Sequence, residues 1–276
     1  MQIVDLTEDR KDLFCICLED WSDEVKDGGP KRREWLDAGE NRGLRAKLAL
    51  DDNGVEGGMI QYGPIEHSMV DGSDLYFIYC IFVHGYKEGR GNFQGHGMGK
   101  ALLQAAEEDA RARGAKGMAA WGLAIPVWMK ASWFKKQGYR KADRQGISTL
   151  IWKPFADDAR PPRWFPKTGK RPEPVLGKVN VTAFSSGWCI AQNLVYERAK
   201  QAAAEFGDSV VFQEIDTSSR EAVAEWGLAD KVLVDGKDIQ KGPPLSYEKI
   251  RKIIAKRVRA QTRDTPAPPC RRLRGR

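Results

Sequence analysis

The sequence lacks the features that define several protein classes. No apolar run approaches the ~20 residues that a membrane-spanning helix needs, which argues against an integral membrane protein. The first ten residues contain no apolar stretch, so we expect no secretory signal peptide. The 5 cysteines are an odd number without the spacing of a disulfide framework. Together these absences indicate a globular protein of the reducing cytoplasm.

Basic residues are concentrated at the carboxyl-terminal end. Residues 251–276 carry ten Lys or Arg and one Asp, so this end alone contributes +9 to a formal net charge of +7. The preceding 250 residues therefore carry −2, and the fold itself is not basic. We expect a disordered basic tail over 261–276, without a stacking platform for bases. Nucleic acid is accordingly not expected as a partner.

Prolines mark the clearest boundary in the chain. Six of them fall between 154 and 174. Because proline removes a backbone donor and fixes φ, neither a helix nor a central strand can run through this stretch. We therefore predict an amino-terminal domain over 1–155, a Pro/Arg-rich linker over 156–177, a second domain over 178–260 and the basic tail over 261–276.

The first domain shows a mixed α/β pattern. Residues 75–83 (LYFIYCIFV) are an unbroken apolar run, which predicts a strand buried on both faces. A helix is predicted over 99–113, with one apolar face and a stop at Gly114. The other predicted strands are 4–6, 44–50, 57–62, 116–123 and 139–153, and the other predicted helices are 8–22, 31–38 and 127–137.

The second domain shows the order β-α-β-α-β-β-α. Asp235-Gly236 is a strong signal for a type I′ turn between its last two strands. The predicted strands are 179–184, 209–215, 232–234 and 238–240, and the predicted helices are 190–206, 218–226 and one that begins at 246. A small α/β unit is therefore expected after the linker.

The most informative segment is RGNFQGHGMGK, residues 90–100, between the buried strand and a helix start. Gly95, Gly97 and Gly99 permit tight backbone angles and leave backbone N–H groups unobstructed. The helix N-terminus adds a positive dipole. This arrangement predicts a cradle for an anion such as a pyrophosphate.

Three phosphate-binding motifs compete for this loop. A Walker loop fails at Gln94 and Ala101, and the dinucleotide pattern GxGxxG fails because Lys100 or Leu102 occupies its third glycine position. The pattern (Gln/Arg)-x-x-Gly-x-(Gly/Ala) fits residues 94–99. Taken alone, this short pattern also fits a flexible turn.

The surrounding residues extend the match. They include Val83 at the strand end, Leu102-Leu103 at the helix start, ARARG at 110–114 and ASWFKKQGY at 131–139. With the loop, they resemble the GCN5-related N-acetyltransferase (GNAT) superfamily over residues 2–153. The resemblance implies an α+β GNAT fold with a mixed central sheet. It also implies transfer of an acyl group from acetyl-CoA to an amine, with no metal.

The resemblance also implies a position for acyl-CoA, in a cleft where the strands 75–83 and 116–123 separate. Backbone N–H groups of 94–101 would bind the pyrophosphate, and the strand end would pair with the pantetheine. A backbone N–H near Phe82 would polarise the thioester carbonyl. The implied cofactor-binding residues are Ile81, Phe82, Val83, Gln94, Gly95, His96, Gly97, Met98, Gly99, Lys100, Ala101 and Phe134.

The sequence departs from the family pattern at the residues for proton transfer. Phe134 stands where the family often has a tyrosine acid, and Tyr79 stands where it often has a carboxylate. The candidates for a general base are Tyr79, Asp74 and His84, or a water molecule that they hold. Tyr79 also fits a simple core residue, and His84 a strand-end residue with a satisfied hydrogen bond.

The second domain carries one notable thiol. SSGWCIAQ at 185–192 joins a strand to a helix, which together with the element order resembles a thioredoxin-like fold. Gly-Pro-Pro before Ser-Tyr-Glu-Lys (242–249) extends a resemblance to the YoaP-like domain over 176–258. Cys189 is a candidate reactive thiol, because a helix N-terminus lowers a thiol pKa. Gln192 occupies the position of a resolving cysteine, so Cys189 also fits a relic of the fold.

These observations favour a cytoplasmic acetyl-CoA-dependent N-acetyltransferase with a small-molecule or peptide amine as acceptor. The acceptor itself and the oligomeric state are left open. Trp164-Phe165 in the linker, with Trp121, Trp128 and Trp133, suggests that the linker and second domain cover the acceptor side of the cleft. The alternatives are a non-catalytic acyl-CoA sensor and a thiol- or soft-metal-handling protein that acts through Cys189.

Overall fold

Two sheets form the framework of the protein. A computed structural model describes residues 1–125, 128–240 and 242–264. The strands are β1 (Gln2–Asp5), β2 (Arg45–Leu50), β3 (Glu56–Pro64), β4 (Val70–Asp71), β5 (Tyr76–Val83), β6 (Gly117–Leu123), β7 (Arg140–Gln145), β8 (Ser148–Pro154), β9 (Arg163–Trp164), β10 (Val179–Ser185), β11 (Val210–Asp216), β12 (Lys231–Val234) and β13 (Lys237–Asp238). The α-helices are α1 (Lys11–Cys15), α2 (Asp23–Lys26), α3 (Gly29–Glu40), α4 (Met98–Ala112), α5 (Ala131–Lys136), α6 (Ile190–Ala204), α7 (Arg220–Trp226) and α8 (Tyr247–Asp264).

The amino-terminal sheet has seven strands in the order β1-β2-β3-β5-β6-β8-β7. Its neighbouring strands run antiparallel except β5 and β6, which run parallel. The predicted α/β class with a mixed central sheet is therefore confirmed. The parallel pair is short, because it joins only Tyr76–Ile78 to Met118–Ala120.

Strand β5 lies at the centre of this sheet and is buried on both faces, as its apolar run predicts. Phe77 belongs to the core shared with α1 and α3, whereas Ile78 belongs to the core beneath α4. Both are fully buried. Helix α4 contributes its predicted apolar face, and Leu102 and Ala106 are also fully buried.

The second sheet has the order β11-β10-β12-β13. Strands β10 and β11 are parallel, and β12 runs antiparallel to β10 and β13. Val181, Val195, Ile250 and Ile254 belong to the core that joins this sheet to α6 and α8. The element order is the predicted one, while the resemblance to a thioredoxin-like or YoaP-like domain stays a prediction.

The two units are joined by buried hydrogen bonds as well as by the linker. Gln61 on β3 donates from Nε2 to the Trp188 carbonyl at 3.1 Å, and Asn193 on α6 donates from Nδ2 to the Gly28 carbonyl at 3.2 Å. The linker contributes β9, in which Trp164 pairs with Val70 of β4. The Pro-rich stretch is thus attached to the first unit along part of its length.

Several predicted boundaries differ from the structure. The helix expected over 8–22 is a 3-10 turn (Glu8–Arg10) followed by the short α1, because Cys17 and Leu18 take left-handed backbone angles, with φ of 54° and 63°. The helix expected over 31–38 begins earlier, at Gly29, where Pro30 lies in the first turn. The closing strands expected over 139–153 are present as β7 and β8, separated by a turn at Gly146.

The carboxyl-terminal predictions are changed by α8, which continues past residue 260 to Asp264. The rest of the predicted tail, 265–276, lies outside the described residues. The helix expected over 127–137 is described as Ala131–Lys136, and Val127 also lies outside the described residues.

Candidate active site

The site begins where β5 and β6 stop pairing. The register of β3 against β5 shifts between Gln61 and Tyr62, which leaves Tyr79 as an extra residue in β5. Pairing between β5 and β6 ends directly before this bulge, at Ile78 and Ala120. The separation of these two strands agrees with the cleft that the sequence implied.

A cavity of about 690 Å³, here called the gap cavity, extends from this separation to the glycine loop. Ten of the twelve implied cofactor-binding residues line it; His96 and Ala101 do not. The lining also includes Trp128 and Trp133, which the sequence analysis placed near the acceptor side, and five residues that it did not single out: Gly85, Tyr86, Phe93, Met129 and Lys130. Trp133 directly precedes Phe134, so the same short helix supplies both to the lining.

The glycine loop presents backbone N–H groups to the gap cavity. Gly95 and Gly97 have φ of 84° and 83°, and Gly97 immediately precedes α4. A Cβ atom on either glycine would meet nothing within 4 Å, so backbone angle rather than crowding requires glycine there. The N–H groups of the first turn of α4 have no acceptor within the helix. With the exposed Lys100 they form a positively polarised pocket for an anion.

The end of β5 supplies further unpaired backbone groups. His84 N–H donates to the Gly57 carbonyl at 2.9 Å, and antiparallel alternation therefore directs the polar groups of Phe82 to β3 as well. Ile81 and Val83 consequently turn their backbone groups toward the gap. Gln94 agrees with this assignment, since its Nε2 donates to the Val83 carbonyl at 3.3 Å. An N–H for a thioester carbonyl would come from Ile81 or Val83 rather than from Phe82 itself.

Comparison with protein families supports the same interpretation. A family model described as the acetyltransferase (GNAT) family matches residues 10–127. This segment is similar to the GNAT family. It contains β5, the glycine loop, α4 and β6, which together form most of the gap cavity. A comparison with curated proteins finds no match.

Several solved structures resemble part of the chain. A ribosomal-protein-alanine N-acetyltransferase from Brucella melitensis is 20% identical, and the match covers 56% of this chain and 99% of that one with a TM-score of 0.42. PaiA N-acetyltransferase from Thermoplasma acidophilum, solved with coenzyme A, is 15% identical, with 56% and 99% covered and a TM-score of 0.42. A GNAT-family acetyltransferase from Staphylococcus aureus is 16% identical, with 56% and 98% covered and a TM-score of 0.42.

The three candidates for a general base do not line the gap cavity. Tyr79 donates its hydroxyl to the His67 carbonyl at 3.0 Å, and burial raises the pKa of this hydroxyl well above its usual range. Asp74 is exposed at the opposite end of β5, near Lys116. The structure thus separates both residues from the glycine loop.

His84 is fully buried, and both of its ring nitrogens have partners. The Trp21 indole N–H donates to Nε2 at 3.2 Å, and Nδ1 lies 2.7 Å from the Gly91 carbonyl oxygen. An indole nitrogen can only donate and a carbonyl can only accept, so His84 is neutral with its proton on Nδ1. Neither nitrogen has a lone pair free to take a proton from an amine, and His84 instead fixes the loop before Phe93.

Cys189 is buried at the N-terminus of α6. Burial raises the pKa of its thiol to about 12, which exceeds the lowering expected from the helix end. The sequence-based expectation of an activated thiol is corrected accordingly. Within the described residues, no group of three or more His, Cys, Asp or Glu side chains is placed to hold a metal ion. None of the helices there has the length and apolar character to cross a membrane.

Proposed function

We propose that this protein transfers an acyl group from an acyl-CoA, expected to be acetyl-CoA, to an amine. The observation that carries the proposal is a continuous cavity that joins the unpaired end of β5 to the N–H groups of the glycine loop. The GNAT match of residues 10–127 supports the same reaction class. The gap cavity is also within the usual size range of a small-molecule site.

The residues of the gap cavity fit an acyl-CoA in three places. The N–H groups at the start of α4, together with Lys100, suit the diphosphate. The outward backbone groups of Ile81 and Val83 suit the amides of the pantetheine, which would pair with them as an added strand does. Trp133 and Phe134 add apolar surface to the same cavity.

The proposed step is a direct attack by a neutral amine. Its nitrogen forms a bond to the thioester carbonyl carbon, the carbon–sulfur bond breaks, and CoA leaves as a thiolate. An N–H of Ile81 or Val83 would stabilise the negative charge on the carbonyl oxygen. The proton released by the amine passes to solvent or to the departing thiolate. Phe134 offers no proton, which is tolerable because a thiol of pKa near 8.5 leaves readily as an anion.

Calorimetry with acetyl-CoA tests the proposal, using two glycines as a matched pair. Gly97 and Gly114 lie at opposite ends of α4, with φ of 83° and 81°, and neither has a neighbour within 4 Å of an added Cβ. Gly97→Val and Gly114→Val therefore carry similar backbone strain, but only the first places a side chain in the cradle. We expect Gly97→Val to weaken acetyl-CoA binding at least tenfold and Gly114→Val to leave it within about twofold.

Two results would decide against the enzyme. Absence of acetyl-CoA binding to the wild-type protein would remove the proposed function. Binding that is lost in Gly97→Val, with no thiol released from acetyl-CoA in the presence of a broad panel of amines, would favour the non-catalytic sensor instead.

A further inference from the structure

A second cavity of about 660 Å³ lies between the two units of the protein. Five tryptophans line it, and we call it the tryptophan chamber. Two come from the first unit, one from the linker and two from the second unit: Trp121, Trp128, Trp164, Trp188 and Trp226. Neither unit alone supplies this lining. The chamber therefore exists only because the second unit is docked on the first.

The tryptophan chamber adjoins the gap cavity. Trp128 lines both cavities. The ring centroid of Trp121 lies 5.3 Å from that of Trp128 and 5.9 Å from that of Trp188, both in edge-to-face geometry. Trp121 also donates its indole N–H to the Tyr79 carbonyl across the separated strands, at 2.7 Å. A wall of indole rings thus leads from the place expected for a thioester into the chamber.

Two of the five tryptophans have indole nitrogens without the partners that their burial calls for. The Nε1 atoms of Trp164 and Trp188 are buried and have no hydrogen-bond partner among the described residues. Trp188 itself is only 6% exposed. An indole N–H that is buried without a partner costs free energy. Both nitrogens are turned away from accessible space, so these two rings offer the chamber their apolar surfaces.

Asp230 supplies a carboxylate without a cation. It accepts from the Ser186 backbone N–H at 2.9 Å and from the Ser186 hydroxyl at 2.8 Å. In the described part of the chain no Lys or Arg forms an ion pair with it. Lys231, the next residue, is instead paired with Asp238, and Lys170 with Glu225. A desolvated carboxylate of this kind favours a bound cation.

We propose that the tryptophan chamber binds the amine acceptor, and that this acceptor is a small arylalkylamine, an aliphatic amine with an aromatic ring, whose cationic nitrogen is held by Asp230. The proposal rests on the proposed acyl transfer, because it places the acceptor beside the gap cavity. Indole rings attract both flat aromatic groups and cations. The chamber volume suits a small molecule. Ionised Asp230 binds the ammonium form, and the amine attacks after it loses its proton to Asp230 or to water.

Two basic side chains at the edge of the chamber are compatible with this assignment. Lys167 and Arg171 of the linker line the chamber without an ion pair among the described residues. These side chains are exposed, whereas Asp230 is half-buried against Ser186. Solvent screens the exposed cations more strongly than it screens the carboxylate. The two rim cations suit an anionic substituent on the acceptor, and the carboxylate suits its amine.

The test uses two ligands with the same carbon skeleton, of which only one carries a charge. 2-Phenylethylamine and 2-phenylethanol share an aromatic body, but only the amine is a cation at pH 7. Binding is followed by quenching of tryptophan fluorescence and by calorimetry in the full-length protein. We expect the amine to bind at least tenfold more tightly than the alcohol. We expect Asp230→Asn to abolish that difference and Trp188→Leu to weaken both ligands.

Two controls accompany these variants. Asp208→Asn removes an exposed carboxylate of the same unit and should leave both affinities within about twofold. Acetyl-CoA affinity should stay within about twofold in Asp230→Asn, and the KM for 2-phenylethylamine should rise at least tenfold.

Equal affinity for amine and alcohol, or an amine preference that persists in Asp230→Asn, would overturn the proposal. If acetyl-CoA fails to bind, the proposed function falls, but the comparison of amine with alcohol still decides whether the chamber is a cation site. If acetyl-CoA is consumed and only straight-chain amines are acylated, the acyltransferase stands and the aromatic acceptor does not.

Discussion

The Trp121 indole nitrogen lies 2.7 Å from the Tyr79 carbonyl oxygen, although the two residues belong to strands that have ceased to pair. The bulge in β5 leaves this carbonyl without a strand partner, and the indole N–H takes the place of the missing ladder bond. One side chain therefore satisfies a carbonyl of the separated strands and also lines the tryptophan chamber.

Replacing Trp121 by Phe should keep an aromatic ring but leave the Tyr79 carbonyl unpaired. We expect a loss of about 1–3 kcal/mol in the free energy of unfolding, measured in urea. Trp133→Phe is the control, because no hydrogen bond of the Trp133 indole is found among the described residues. Equal losses in the two variants would mean that the hydrogen bond contributes nothing beyond ring size.

His84 should act as a structural residue and not as a base. His84→Gln can still accept from Trp21 and donate to the Gly91 carbonyl, whereas His84→Ala leaves both partners unsatisfied. We expect Ala to destabilise the protein by about 2 kcal/mol more than Gln. The pH profile of kcat/KM should keep its shape in the Gln variant. A profile that loses its ascending limb there would restore His84 as the base.

Asp230 gives the stability of the protein a defined pH dependence. Burial raises the pKa of its carboxyl from 3.8 to about 6. Because the pKa of this carboxyl is higher in the folded than in the unfolded chain, its protonation favours folding at low pH. This contribution to stability is lost as the pH rises from about 4 through 6. Asp230→Asn should therefore stabilise the protein at pH 8. We expect a higher melting temperature and a gain of at most about 3 kcal/mol in the free energy of unfolding.

The gain from Asp230→Asn should shrink as the pH falls toward 4. Asp208→Asn, which removes an exposed carboxylate, should show no such trend. A gain that is constant with pH would assign the effect to packing instead of charge. The same measurement shows that the Asp230 variant is folded when its ligand binding is tested.

A buried guanidinium connects the two units through Gln61. Arg32 is 1% exposed and donates to Gln61 Oε1 at 2.7 Å, and Gln61 Nε2 in turn donates to the Trp188 carbonyl. Gln61→Leu leaves a buried charge short of an acceptor, so we expect a loss of about 3 kcal/mol or more in urea. Adding Arg32→Met should recover part of this loss, because the charge is gone. A further loss in the double variant would contradict this account.

Cys189 should be unreactive in the folded protein. With a pKa of about 12, roughly one thiol in ten thousand is ionised at pH 8, and the thiolate is the reactive form. Mass spectrometry after iodoacetamide treatment should find Cys189 unmodified in the native state and alkylated in denaturant. Rapid native alkylation would revive the thiol-handling alternative.

The sequence was most informative where the structure depends on residues that are close together in the chain. The apolar run at 75–83, the glycine loop and the apolar face of α4 are local patterns, and each formed the expected element. The helix expected over 8–22 was wrong because the left-handed backbone at Cys17 and Leu18 has no glycine to signal it.

Distant contacts account for what the sequence could not predict at the site. His84 loses its role as a base through Trp21, which is 63 positions away. The tryptophan chamber joins residues from 121 to 226, and only docking of the two units shows that their rings share one cavity.

The linker has a consequence for how an acceptor would enter. Asp71 accepts from Arg163 of the linker at 2.8 Å and from Arg220 of the second unit at 2.7 Å, so one carboxylate binds the linker and the second unit. Arg220 also contacts three backbone carbonyls of the first unit at 3.3 Å. These contacts hold the linker and the second unit against the first, so we expect an acceptor to reach the tryptophan chamber without a hinge motion that separates the two units.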